Sequence, residues 1–398
     1  MLHALRSREA AMPFIMLTVL IDMMAIGVII PVLPPLVAAF SDSQADQAYW
    51  YGVAACTFGA ATFICSPILG ALSDHFGRRR VLLLCFLGLA LSFFGTALAT
   101  TLTGLIAWRI VGGAMQANAA IASAYVADIS APEQRAKRFG LLGAIDLHLP
   151  FYVSGVLALM NLAYGFFVLP ESLPDSRRKR FDWRSANPVT SLNKLAQLRG
   201  VGPLVGVVAF SGLAQFVLYT CWVLYGTFKF GWGPRESGWS LAAVGVVALA
   251  VQGFLLGRML KVISPQRLTI VGLVSSTLAY LLWGAATEGW MMFAVIGVNL
   301  FGVTVATTVQ SMISSAADGN SQGQTMGAVT SLNSLMAVVA PMLGAPLLAM
   351  VSHLPRGDWR IGAPFFFCAV LQVVSLYLAV LHMRRHRVKA PQHFSNPS

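Results

Sequence analysis

Two ionisable side chains, Asp22 and Arg109, stand inside long apolar runs of this sequence. A charge is costly in hydrocarbon, so an ionisable residue in a membrane span usually has a function or a charged partner. Burial raises the pKa of a carboxyl group and a nearby cation lowers it, so Asp22 could take up and release a proton. Two interpretations remain open: proton coupling through both residues, or an ion pair that only holds the helices together.

A second group of candidates consists of uncharged amides among apolar and aromatic neighbours in the later half of the chain. These amides are Gln215, Gln252, Asn299, Gln310 and Asn333, and Tyr219 and Trp222 belong to the same group. Such a lining suits an amphipathic organic molecule better than an ion. Each amide could instead make an ordinary hydrogen bond between helices. We expect Gln252 and Gln310 to be the strongest substrate-binding candidates.

Other chemistries find no support in the sequence. It contains no phosphate loop and no set of catalytic nucleophiles, and its glycines are dispersed at helix-packing spacing. The five cysteines fall inside apolar runs without the spacing of metal ligands. We therefore predict neither an enzyme nor a resident cofactor.

The composition sets the class of protein that must position these residues. Of 398 residues, 57% are hydrophobic and only 11% are charged, which predicts a polytopic membrane protein. The formal net charge is +12, but the cations lie in short loops between apolar runs. This placement indicates orientation in a lipid bilayer rather than binding of nucleic acid.

The apolar runs predict an all-α fold of about eleven transmembrane helices. They cover residues 12–39, 50–72, 81–99, 102–127, 149–169, 203–226, 239–260, 268–286, 289–315, 325–350 and 361–382. Most of the 27 Lys and Arg residues then fall on one side, which the positive-inside rule assigns to the cytoplasm. Both termini are expected on that side.

Two similar halves joined by a basic linker are typical of transporters. The predicted boundaries are residues 1–169 for the first half, 170–202 for the linker, 203–383 for the second half and 384–398 for the tail. The two halves are unequal, because the run that includes Pro341 and Pro346 has no counterpart in the first half. The loops at 132–138 and 170–199 are both positively charged, but the 33 residues from Phe139 to Glu171 are too few for two membrane helices and a turn. Either one of these two loops is assigned to the wrong side, or a short arm at 139–149 enters the membrane and returns.

One strongly charged turn, Gly70–Arg80, lies between the second and third runs. Gly70 and Gly77 allow a tight reversal, and Arg78 and Arg79 lie where anionic lipid headgroups would be. The carboxylate of Asp74 could meet the positive end of a neighbouring helix and hold one conformation closed.

An alternative remains for this turn: the arginines alone orient the chain, and Asp74 is dispensable. Asp128, at the inner end of the fourth run, is a further candidate for a cytoplasmic gate or anchor.

These residues also resemble a known family. The pattern Gly70-x-Leu72-x-Asp74-x-x-Gly77-Arg78-Arg79 resembles the signature loop of the major facilitator superfamily, and Arg109 with Gly113 resembles its fourth-helix motif. More narrowly, the sequence is similar to the tetracycline-efflux branch of drug:proton antiporters. The segments that carry this second likeness are Asp22 to Pro34, Tyr125 to Asp128, Leu169 to Ser172, Asn187-Pro188 and Gln322 to Gln324.

The resemblance implies twelve helices, alternating access, and export of a cationic or metal-chelated drug from a bacterium through its inner membrane in exchange for protons. It implies a proton or substrate path at Asp22, a proton relay at Arg109, a cytoplasmic latch at Asp74 and a drug pocket at Gln252.

The sequence also departs from this family pattern. His75 replaces a basic Arg or Lys, and Ser92 and Ser276 stand where tetracycline exporters carry acids. The fifth helix is missing between Ala144 and Ile145, which predicts an impaired antiporter. The sequence therefore predicts a proton-coupled drug exporter, possibly defective; the alternative is a membrane scaffold with the same fold that does not transport.

Overall fold

A computed structural model describes residues 32–116, 149–168, 202–316 and 322–387. These ranges form helices and contain no strand. The α-helices are α1 (Leu33–Ala38), α2 (Gln44–Phe76), α3 (Arg78–Ala97), α4 (Leu102–Met115), α5 (Leu149–Val168), α6 (Gly202–Phe230), α7 (Pro234–Ala250), α8 (Leu256–Val262), α9 (Pro265–Ala285), α10 (Gly289–Val298), α11 (Val305–Ala316), α12 (Gln322–Val351) and α13 (Ala363–Arg387).

Short polar side chains set where several helices begin. The Ser43 hydroxyl accepts a hydrogen bond from the Asp46 backbone N–H at 3.1 Å before α2. Thr101 does the same before α4, accepting from the Gly104 N–H at 3.1 Å. Each hydroxyl satisfies a donor that has no partner within its own helix. The chain therefore enters these spans at defined residues.

The length and composition of the helices confirm the predicted helical membrane bundle. In the described ranges, six helical segments are long and apolar enough to cross a membrane, and α10 with α11 gives a seventh if this pair, bent by 56°, is one span. Residues 1–31 and 117–148 are not described, and they include most of the first run and the position where the sequence predicts loss of the fifth helix. The count of about eleven helices stays a prediction.

One helix contains an irregular turn. Between α7 and α8, residues Val251–Leu255 form a π-helical turn that includes Gln252. Single π-helical turns within α-helices are rare and often occur at functional sites. This turn lies beside the cavity described below.

Two contacts give the direction of α5. Near one end, the rings of Phe94 and Tyr152 lie 6.2 Å apart between centroids. At the other end, the Arg79 guanidinium donates to the Phe166 carbonyl oxygen at 2.5 Å. The helices α3 and α5 are therefore antiparallel, and α5 finishes at the end of the bundle that carries the charged turn.

Glycines bring the two halves together where α2 meets α12. A Cβ on Gly59 would lie 3.0 Å from the Ala337 carbonyl oxygen, and one on Gly52 would collide with the Ala345 methyl group. Residue numbers rise along α2 as they fall along α12, so the two helices are antiparallel. Continued at 1.5 Å per residue, this register places the start of α12 level with Asp74.

The orientation of the later half follows from α6. Gly212 lies beside Asn333, and Val217 lies beside Gly344; the numbers rise together, so α6 and α12 are parallel. Gly202 and the end of α5 therefore lie at the charged-turn end, and the linker begins and ends at the same end of the bundle. The proposed boundaries of the halves stay predictions, because residues 169–201 are not described.

Both halves contribute to one apolar core at the end opposite the charged turn. Leu36, Ala48 and Tyr51 of the earlier half share it with Ala340 and Leu348 of the later half. Because these side chains pack closely against one another, they leave no room for water at this end of the bundle. The halves are thus packed together at the end away from the charged turn.

The helix directions lead to a topology prediction. Five crossings separate Arg184 from Gly357 if α7 with α8 forms one crossing and α10 with α11 forms another, beside α6, α9 and α12. These two residues should then lie on opposite sides of the membrane. A reporter domain inserted after Arg184 should be cytoplasmic, and one inserted after Gly357 should be periplasmic. Both reporters on one side would show that one of these two helix pairs enters and leaves the membrane by the same face.

Candidate functional site

The charged turn is shorter in the structure than the sequence predicts. Gly77 alone separates α2 from α3. Its φ of 99° and ψ of 143° are a backbone conformation that residues other than glycine rarely adopt. Gly70 lies inside α2, and a Cβ added there would meet nothing within 4 Å. The reversal therefore depends on Gly77, and the prediction that Gly70 contributes to it is wrong because the helix continues through that residue.

Asp74 lies in the last turn of α2. Its Oδ1 is 3.8 Å from Arg78 Nη2, and the Asp74 side chain is 45% exposed whereas that of Arg78 is 12% exposed. The start of α12 lies level with Asp74, where the positive end of that helix would attract a carboxylate. The latch stays a prediction that this arrangement permits.

Arg109 lies where α2 and α4 make close contact. A Cβ on Gly113 would collide with the Phe58 carbonyl group, and the Thr62 hydroxyl donates to the Gly113 carbonyl oxygen at 3.0 Å. The Arg109 guanidinium carbon lies 4.1 Å from the centroid of the Phe58 ring, a favourable cation–π distance. Small residues thus position this cation against an aromatic face.

The Nε of Arg109 is buried and makes no hydrogen bond within the part of the chain that the structure describes. A buried donor of this kind calls for an acceptor. The proposed partner Asp22 and the proposed gate residue Asp128 both lie outside the described residues. Their roles stay predictions.

The later half encloses a cavity of about 420 Å³ between α6, α7, the π-helical turn and α9 to α13. All five amides singled out in the sequence line it: Gln215, Gln252, Asn299, Gln310 and Asn333. The structure therefore brings these side chains together from five separate parts of the chain. Their part in binding a substrate stays a prediction.

The cavity lining is mostly apolar, and its polar members carry no charge. Among the described residues, its polar members are Ser211, Gln215, Tyr219, Trp222, Gln252, Ser276, Trp283, Asn299, Gln310, Asn333 and Gln372. Valine, leucine and other apolar side chains supply the remainder. A pocket of this size and character can bind an amphipathic organic molecule through hydrogen bonds and aromatic contacts.

Aromatic packing fixes one wall of the cavity. The rings of Trp222 and Trp283 lie 5.1 Å apart between centroids at 87°, and Trp222 Nε1 donates to the Ser240 hydroxyl at 2.8 Å. Edge-to-face rings with a satisfied N–H lose little further freedom when a ligand binds. This wall is preorganised.

Sequence reasoning missed one amide of the lining, Gln372, and noted Ser276 only as a departure from the family pattern. The Ser276 hydroxyl donates to Asn299 Oδ1 at 3.1 Å, so the serine that departs from the family pattern belongs to the cavity wall. Gln372 was not singled out, although it lies in an apolar run as the other amides do. The available signal was that it is the sole amide between Ala363 and His382.

Comparisons with known proteins agree with this architecture. The family model of the Major Facilitator Superfamily matches residues 15–147, 140–341 and 229–395. The tetracycline resistance protein of class C from Escherichia coli is 35% identical over 370 residues, which cover 88% of this chain and 92% of that protein. The class D protein from Salmonella ordonez is 30% identical over 366 residues, which cover 87% and 92%.

A solved structure shows the same fold. The human organic anion transporter MFSD10 (TETRAN) superimposes with a TM-score of 0.69 at 23% identity, covering 94% of this chain and 99% of that one. These matches confirm the resemblance to the superfamily and its tetracycline-efflux members.

The charged turn gives a matched pair of substitutions. We expect Gly77→Ala to destabilise the protein by about 1–3 kcal/mol, because alanine is strained at that backbone conformation. Gly70→Ala should leave stability unchanged or raise it by up to about 1 kcal/mol, because alanine favours an open helical position. Thermal unfolding of both purified variants in detergent measures the difference. Equal loss of stability would contradict the assignment of the reversal to Gly77 alone.

Proposed function

Because the chain belongs to the Major Facilitator Superfamily, whose members are membrane transporters and not enzymes, we propose that it exports a small amphipathic drug across the bacterial inner membrane in exchange for protons. The observation that carries this proposal is the uncharged, amide-lined cavity of about 420 Å³. It occurs in a chain that is 35% identical to a tetracycline resistance protein. Tetracycline is accordingly the first drug to test.

The cavity chemistry supports a cargo with many hydrogen-bonding groups. Gln215, Gln252, Gln310 and Asn333 offer both amide donors and carbonyl acceptors, and Trp222 offers an aromatic wall. A tetracycline that enters as its metal chelate would present hydroxyl groups and metal-bound water to these acceptors. The metal ion belongs to the cargo and not to the protein.

Transport follows from two packed halves that present the cavity to each side in turn. In our proposal, protonation of Asp22 shifts the balance between the two states. The unpaired Nε of Arg109 supports a nearby acid as its partner, and Asp22 is the acid that we propose. Asp74 and the start of α12 would close the charged-turn end in one state.

A non-transporting scaffold is the competing function. It would need neither an amide-lined cavity nor a buried arginine whose Nε lacks a hydrogen bond within the described residues. The relatives named for drug resistance also favour export. Loss of the fifth helix, which the sequence suggests, would lower the rate of export without changing the cavity. The accumulation experiment below separates export from a scaffold role.

We expect cells that express the wild-type chain to accumulate several-fold less tetracycline than cells that carry an empty vector. Asp22→Asn should accumulate as much as the empty vector, because it cannot exchange a proton. Asp42→Asn, which changes an exposed carboxylate, serves as the matched control and should behave as wild type. The same accumulation in wild-type and vector cells would reject export and favour the scaffold.

Removal of metal tests the form of the cargo. In inverted membrane vesicles with an imposed pH gradient, a chelator of divalent cations should reduce tetracycline uptake to background, and added Mg²⁺ should restore it. A pH-sensitive dye checks that the chelator leaves the gradient intact. Uptake that persists in the chelator would show that free tetracycline is the cargo.

A further inference from the structure

Gln372 lies in the cavity wall with an unused hydrogen-bonding atom. Its side chain is 2% exposed, and its Oε1 has no hydrogen-bond partner within the described ranges. An amide oxygen buried without a partner is uncommon, because leaving it unsatisfied costs free energy. The position of this residue therefore calls for an explanation.

Contacts along α13 place Gln372 opposite the middle of α6. On one side of it, the Cys368 thiol donates to the Ala214 carbonyl oxygen at 3.3 Å. On the other side, a Cβ on Gly206 would lie 2.8 Å from a Leu378 methyl group. The amide is held between two tight helix contacts, at the level where Ser211 and Gln215 line the cavity.

Three other polar side chains of this wall have partners within the protein. Ser276 and Asn299 bond to each other across the cavity wall at 3.1 Å, and the Trp222 N–H is satisfied by Ser240. Rotation about the last side-chain bond of a glutamine is nearly free, so Gln372 can turn its oxygen toward a ligand without moving α13. A substrate donor would supply the missing partner.

We propose that Gln372 is a substrate-anchoring residue whose Oε1 accepts a hydrogen bond from a hydroxyl or N–H group of the exported drug. This inference rests on the proposed export function and specifies its ligand chemistry. The drug must carry a donor that reaches the α13 wall while its remainder contacts the amides of Gln252 and Gln310. Compounds without such a donor bind in the same cavity with lower affinity.

The test measures tetracycline binding in the presence of Mg²⁺ to the purified full-length protein in lipid nanodiscs. Gln372→Met keeps the length of the side chain but removes its hydrogen-bonding groups, and should weaken binding about tenfold. Gln372→Glu retains an acceptor and should bind within about threefold of wild type. Val373→Ala, on the exposed side of the same helix, is the matched control and should bind as wild type.

The unfolding temperature of the drug-free protein separates anchoring from a structural role. Gln372→Met should not lower this temperature, because the substitution removes no hydrogen bond from the empty protein. A clear fall in the unfolding temperature would show that Gln372 bonds within the protein, and would overturn the inference.

The binding results also separate this inference from the proposed function. Wild-type affinity in Gln372→Met would overturn the anchoring role and leave drug export standing. Absence of tetracycline binding by the wild-type protein would overturn both.

Discussion

The contact between α2 and α12 determines how the two halves of this transporter meet. At Gly52 and Gly59 there is no side chain to separate the helices, so backbone approaches backbone. In a bilayer this close approach replaces the hydrophobic driving force that packs soluble helices. The shared apolar core, with Leu36 and Tyr51 from one half and Leu348 from the other, extends the same contact.

Much of the architecture was readable from the sequence because hydrocarbon imposes simple demands. Runs of apolar residues predicted most described helices to within a few positions, and α5 and α6 begin within one residue of the predicted start. The prediction of where the charged turn begins was less accurate. Sequence alone could not show that α2 continues through Gly70 and Asp74 to Phe76, since a helix in an interfacial region can end at any of several polar residues.

The cavity residues were likewise predicted from the sequence only in part. Gln215, Gln252, Gln310 and Asn333 were identified because an amide in an apolar run is expensive and therefore conspicuous. Their meeting in one cavity depends on helix directions and rotations, which single residues do not encode. Gln372 obeys the same rule but has no polar neighbour to draw attention to it. The π-helical turn at Gln252 also left no sequence signal, because it is a small local change in helix register.

The position of the glycine contact along α2 has a mechanical consequence. It lies away from the charged turn. Asp74 is 15 positions after Gly59, which corresponds to roughly 22 Å along a helix. A contact of this kind acts as a pivot near one end of a lever. A tilt of about 10° around it would displace the level of Asp74 by about 4 Å, enough to make or break a carboxylate contact with the start of α12. A small rotation at an almost fixed contact would then be sufficient to open the opposite end.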